Sequence, residues 1–171
     1  AADDKNPRWS ADGLQVVFQT KRDGNWEIYK MDADGMNPVN LSSNAAADEH
    51  PDWSPDNGEI VFDTDRDGDA EIYRMNEDGS GQTRLTMDEG NDVQPNWSSD
   101  GTKILWNTSR TGNDEIHMMA RDGTGVTNLS SNGAAEANPS SFRLASLGKT
   151  VVGYPLMRQI VVDGTAHVLD A

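Results

Sequence analysis

Pro51-Asp52-Trp53-Ser54-Pro55-Asp56, followed by Ile60-Val61-Phe62, Arg66-Asp67-Gly68, Glu71-Ile72-Tyr73-Arg74-Met75 and Asn76-Glu77-Asp78-Gly79, is one unit of an internal repeat. Pro7, Pro51, Pro95 and Pro139 stand 44 residues apart. Trp9, Trp53 and Trp97 keep that step. So do Phe18, Phe62 and Trp106, then Arg22, Arg66 and Arg110, then Glu27, Glu71 and Glu115, and finally Leu41, Leu85 and Leu129. The first three copies align without insertion or deletion. A fixed period of this length decides the architecture before any single element is read.

Each copy carries four strand signals. Pro-x-Trp-Ser is strand A. The β-branched and aromatic runs Val16-Val17-Phe18, Ile60-Val61-Phe62 and Ile104-Leu105-Trp106 form strand B. Glu27 to Met31 alternates as strand C, and Val39 to Ser42 is strand D. Asp-Gly pairs supply the positive φ of the tight turns between them. Four short antiparallel strands per 44 residues is the period of a β-propeller blade. The expected fold is therefore all-β: a β-propeller of about four four-stranded blades in one domain, 1–171. The blades fall at about 4–47, 48–91, 92–135 and 136–171. The fourth is worn. It keeps Asn138-Pro139, but Ser141-Phe142 replaces Trp-Ser, and Arg158 to Val162 and Ala166 to Leu169 read as its strands C and D. Two closures are open, a four-blade ring or half of a larger ring completed by a second copy or a longer chain. A lone open array exposes the apolar faces of its end blades.

The 171 residues carry 14 Lys and Arg against 29 Asp and Glu, a net charge of −15. Polyphosphate partners are repelled by such a surface, so no nucleic-acid binding is expected. An anionic membrane surface is equally unfavourable, and no apolar run reaches the ~18 residues of a membrane span. A protein with a basic patch is the natural electrostatic partner. There is no cysteine, which excludes disulfides and thiolate chemistry. Ala1-Ala2-Asp3 is compatible with a mature end left by cleavage behind small residues.

These residues resemble the WD-repeat-like unit of TolB-type propellers, strongly over 6–132 and weakly over 138–171. The resemblance implies the propeller fold and a protein-docking role, in a periplasmic or secreted setting. It does not imply TolB itself. The α/β domain that precedes the TolB propeller has no counterpart in the sequence, and about four blades stand where TolB has six.

Two carboxylate sets are candidate metal sites. Asp4, Asp48, Asp92 and Glu136 each precede a repeat proline by three residues. If the loop entering strand A opens on the central channel, they form a ring whose repulsion Ca²⁺ would relieve. The alternative is that they cap turns. Asp63, Asp65, Asp67, Asp69 and Glu71 form D-x-D-x-D-G-x-x-E, an alternation of oxygens with a turn glycine that resembles a calcium hairpin. Its alternative is a plain hairpin in which the repeated Arg holds the repeated Glu. Trp26 has no aromatic equivalent in the other blades and lies at a hairpin end, a candidate binding surface together with His50. His50 beside Glu49 and near Asp48 is also the one catalytic-looking cluster. No G-x-S-x-G elbow, phosphate loop or His-Glu-x-x-His helix is present. The expectation is a non-catalytic binding module, with Ca²⁺ as a candidate stabiliser. Two alternatives accompany it: a half-propeller completed by self-association, and a hydrolase or lyase with a site at the channel mouth.

Overall fold

A computed structural model describes residues 2–130, 159–162 and 165–168. The first sheet holds β1 (Asp4–Trp9), β2 (Gln15–Thr20), β3 (Glu27–Asp32) and β4 (Val39–Asn40). The second holds β5 (Asp48–Trp53), β6 (Glu59–Thr64), β7 (Glu71–Asn76) and β8 (Thr83–Arg84). The third holds β9 (Asp92–Trp97), β10 (Lys103–Thr108), β11 (Glu115–Ala120) and β12 (Thr127–Asn128). Each sheet is a four-stranded antiparallel meander in chain order. A hairpin of β13 (Gln159–Val162) and β14 (Thr165–Val168) coincides with the expected strands C and D of the fourth blade. The remainder of that blade, Glu136 included, lies outside the described residues. The three described sheets do not close into a ring.

Strand A begins three residues earlier than the Pro-x-Trp pattern suggests. The proline is tolerated because each A strand is bulged there, with register shifts between Lys5 and Arg8 and between Glu49 and Asp52. A bulge leaves one residue out of the ladder, so proline's missing N–H costs nothing. The residue before each proline takes the left-handed conformation: Asn6 at φ 49°, His50 at 49° and Gln94 at 57°. That twist turns its N–H away from its own sheet. The amide of His50 donates to Gln19 Oε1 of the first sheet at 2.8 Å, and that of Gln94 to Asp63 Oδ1 of the second at 2.9 Å.

The apolar cores lie between sheets. Val17, Ile28 and Leu41 of the first sheet pack with Trp53, Ile60, Phe62, Tyr73 and Met75 of the second. Val61 and Ile72, with Leu85 against them, pack with Trp97, Ile104, Trp106 and Met119 of the third. Each sheet thus covers the tryptophan of the next. Trp53 and Trp97 are 5% and 8% exposed, whereas Trp9, against which no described sheet packs, is 61% exposed.

Candidate functional site

His50 lies on β5, at the bulge that joins the second sheet to the first. Its Nδ1 is 2.9 Å from Asp63 Oδ1, and Glu49 is 4.0 Å away. Burial alone would lower the His50 pKa, but the hydrogen bond and charge of Asp63, with Glu49, reverse this and hold it above its ordinary value. Desolvation pushes Asp63 upward, opposed by His50 and the Gln94 amide. The pair recurs in different chemistry. Asn6 Nδ2 donates to Gln19 Oε1 at 2.7 Å, and Asn107 Nδ2 donates to Gln94 Oε1 at 3.0 Å. A polar couple between the bulge residue and strand B is therefore a structural device of every described sheet. His50 and Asp63 are its second-sheet version.

The structure places Asp4, Asp48 and Asp92 as the first residues of the A strands, not in the loops before them. Each meets the arginine 18 residues on. Arg66 Nη2 is 3.1 Å from Asp48 Oδ1, Arg110 Nη2 2.6 Å from Asp92 Oδ2, and Arg22 Nη2 3.5 Å from Asp4 Oδ1. The same guanidiniums bond the threonine that ends strand B and lie over the rings of Tyr29, Tyr73 and Trp106. The other Asp48 oxygen takes the amide of Asn44. At the matching position stands Asp88, which binds Arg110, so Asp92 Oδ1 is buried without a partner.

This corrects the expected Arg–Glu pairing. The repeated glutamates instead face strand D and the loop after it. Ser42 Oγ donates to Glu27 Oε2 at 2.6 Å and Thr86 Oγ1 to Glu71 Oε2 at 2.5 Å, while Asn128 Nδ2 donates to Glu115 Oε2 at 2.6 Å.

Asp63, Asp65 and Asp69 have separate partners, while Asp67 and Glu71 share Arg84. Asp63 meets His50 and the Gln94 amide, and Asp65 accepts the Ala47 amide at 2.9 Å. Asp67 accepts from the Tyr73 hydroxyl and Asp69 from the Gly90 amide at 3.5 Å. Glu71 holds Arg84 at 2.5 Å as well as Thr86. Asp63 and Glu71 lie on β6 and β7, and Asp65, Asp67 and Asp69 in the turn between them. Burial and the Asp67 bond push the Tyr73 hydroxyl up to about 12. Among the described residues no three His, Cys, Asp or Glu side chains are grouped as metal ligands would be. Trp26 is half-buried, with Lys5 Nζ 5.0 Å and Lys21 Nζ 4.7 Å from its ring centroid.

Two features escape the sequence reading. Arg121 of the third sheet clamps the second through Asp56 at 2.7 Å and Glu59 at 2.8 Å. A cavity of about 340 Å³ opens on the outer side of the third sheet, between Asn91, Gln94, Asn107, Ser109 and Asp114. Neither the lone arginine nor the cavity has a repeated spacing to announce it.

The TolB beta propeller domain family matches residues 3–141. No curated protein matches the chain. Among solved structures, a protein assigned as TolB from Agrobacterium tumefaciens superposes with a TM-score of 0.71 at 29% identity, over 78% of this chain and 48% of that one. TolB from Acinetobacter baumannii gives 0.62 and 26%, over 73% and 32%. The chain thus spans half or less of the TolB chains it matches. Oligogalacturonate lyase from Vibrio parahaemolyticus, at 14% identity and TM-score 0.57 over 70% of this chain and 37% of that one, shares the fold. With the match covering well over half of its 171 residues, the chain belongs to the TolB β-propeller domain family.

Proposed function

We propose that this chain is a non-catalytic, extracytoplasmic binding module that recognises a protein partner through a basic patch on that partner. The observation that carries the reading is the equivalence of His50–Asp63 with Asn6–Gln19 and Gln94–Asn107. A couple replaced by neutral amides in the flanking sheets is there to join sheets. A general base, by contrast, needs a proton to abstract from a substrate in reach. The TolB resemblance and the acidic balance of the whole chain favour partner docking.

On this reading the buried carboxylates, Asp48 and Asp92 of the A strands and Asp63 and Glu71 of the hairpin, are held by the chain's own donors and need no Ca²⁺. The charge left for recognition is on the surface. Asp65, Asp67, Asp69, Asp88 and Glu89 are exposed at the hairpin end of the second and third sheets, around Met87, which is 74% exposed. An apolar side chain rimmed by one sign of charge suits a cationic, partly apolar partner surface.

The test is a fluorescence-anisotropy titration with a labelled Lys/Arg-rich peptide at low and moderate salt. Binding that weakens with salt, and falls about tenfold in Asp69→Asn/Asp88→Asn/Glu89→Gln, is expected; tenfold corresponds to about 1.4 kcal/mol shared over three charges. Equal binding by the variant, or none at low salt, contradicts the reading.

A further inference from the structure

Two ammonium groups converge on Trp26. Lys5 Nζ lies 5.0 Å and Lys21 Nζ 4.7 Å from its ring centroid. The strand register puts both lysines on one face. Lys5 stands opposite Gln19 in the β1–β2 ladder, and the Lys21 amide extends that ladder to the Asp3 carbonyl at 3.1 Å. Residues two apart on a strand share a face. Lys21 therefore lies on the side of Gln19, whose Oε1 accepts the His50 amide of the second sheet. The indole belongs to the joint between two described sheets, and its backbone is fixed there. The Trp26 carbonyl accepts the Asp48 amide at 2.9 Å, and Asn25 Nδ2 donates to the carbonyls of Ala46 at 2.5 Å and Asn44 at 2.9 Å. With the second sheet in place both lysines are exposed and the indole is half-buried.

The trio does not recur in the next two copies. The second sheet has Glu49, Asp65 and Ala70 at these positions, and the third has Val93, Ser109 and Asp114. The joint needs none of the three side chains, since the Ala70 carbonyl holds the Asp92 amide at 2.7 Å in the same way. Among the described residues every arginine is ion-paired, as is Lys30, whereas Lys5 and Lys21 form no ion pair. Glu49 is the carboxylate across the joint. Burial raises its pKa and Lys21 is among the charges that lower it, but its ion-pair contact is His50, at 4.0 Å. In a chain with 29 Asp and Glu against 14 Lys and Arg, two lysines are thus spent on one ring. Their mutual repulsion is relieved by an anion seated on that ring.

We propose that Trp26, Lys5 and Lys21 form a carbohydrate subsite for a sugar ring bearing one carboxylate, a hexuronate. The sugar ring lies on the indole and its carboxylate pairs with the ammonium groups. An acidic peptide side chain would satisfy the lysines but leave the indole face bare. A pyranose ring presents C–H groups to that face and hydroxyls to the lysines. The rest of the chain limits the charge of the ligand. The net −15 repels phosphate-dense chains. One carboxylate per ring still feels the two ammonium groups, which act within the screening length of about 8 Å at physiological salt. The proposal uses residues other than the acidic rim around Met87 and does not rest on a basic partner.

The test follows the indole N–H signals of the isotope-labelled chain by nuclear magnetic resonance, with Trp26→Phe identifying the Trp26 signal. Short glucuronate oligosaccharides should shift that signal saturably at millimolar concentration, and less as salt rises. Neutral glucose oligosaccharides of the same length should bind at least about tenfold more weakly, and Lys5→Gln/Lys21→Gln should weaken the glucuronate by about tenfold. Unmoved signals of the buried Trp53, Trp97 and Trp106 show that the variant stays folded. A Trp26 signal that does not move, equal binding of the neutral sugar, or equal binding by the double variant overturns the proposal. So does tighter binding of a nucleoside monophosphate or of an acidic peptide at Trp26, which would give the ring to another class of anion.

Discussion

Gly35 and Gly79 occupy the same turn between strands C and D in successive sheets, at φ 85° and 86°. A Cβ at Gly35 meets nothing within 4 Å. A Cβ at Gly79 falls 2.6 Å from the Leu41 carbonyl oxygen and 3.0 Å from Leu41 Cα, because this turn leans on the strand D end of the first sheet. Alanine at either site bears the cost of the left-handed region, about 1–2 kcal/mol. At Gly79 it must also push back a backbone atom, which adds about 1–3 kcal/mol as for an overpacked core. Gly79→Ala should therefore lose about 2–5 kcal/mol and Gly35→Ala about 1–2 kcal/mol. Gly123→Ala should fall between them, since its nearest contact is the movable Leu85 Cδ2 at 3.4 Å. The assay is urea unfolding followed by far-ultraviolet circular dichroism, comparing midpoints at unchanged slope. Equal losses at Gly35 and Gly79 would show that the second turn does not abut the first sheet, and the inter-sheet packing described above would fall with it.

Arg66→Ala leaves the buried Asp48 without its guanidinium and should cost about 2–4 kcal/mol, somewhat less than a fully buried pair because the arginine is partly exposed. Arg22→Ala, whose partner Asp4 is exposed, should cost under about 1 kcal/mol, and thermal melts of the two variants compare them. The raised His50 pKa makes its protonated form stabilising. That stabilisation is complete below pH 6.5 and is lost as pH rises through the higher folded value, so Tm should fall over that window in the wild type and flatten in His50→Gln. Asp63, also raised, adds a loss of the same sign beginning above its ordinary carboxylate range, while Arg8 opposes the His50 charge. Tyr73 should resist ionisation in an ultraviolet titration until about pH 12, and Tyr73→Phe should leave Asp67 held by Arg84 alone without disturbing the Phe62 contact.

The architecture was legible because the repeat keeps its apolar and turn residues in step: Val17 with Val61, Ile28 with Ile72, Gly35 with Gly79. The polar joints were less so. Arg66 was read toward Glu71, five residues on in the same hairpin, yet it reaches back 18 residues to Asp48. The constant Arg-to-Asp spacing was in the sequence, but only the bulged A strand explains why that distance closes. The His50–Asp63 couple was hidden because its counterparts share polarity and not residue type. The alternating acids of Asp63–Asp69 carried the letters of a calcium loop, but each is turned to a different partner, Asp63 to His50, Asp65 to the Ala47 amide, Asp67 to Tyr73 and Asp69 to the Gly90 amide. Trp9, Trp53 and Trp97 are identical letters with different burial, since the described sheets cover Trp53 and Trp97 but not Trp9.

The central claim is that the carboxylates which look like a metal or catalytic site are held by the chain's own donors. Calorimetric titration of chelator-stripped protein with Ca²⁺ at moderate salt tests it most directly. The account predicts no binding heat up to millimolar Ca²⁺ and no change of Tm on adding it. A sharp isotherm near one ion per chain, abolished either by Asp48→Asn with Asp92→Asn or by Asp65→Asn with Asp67→Asn, would contradict it and identify which carboxylates hold the ion.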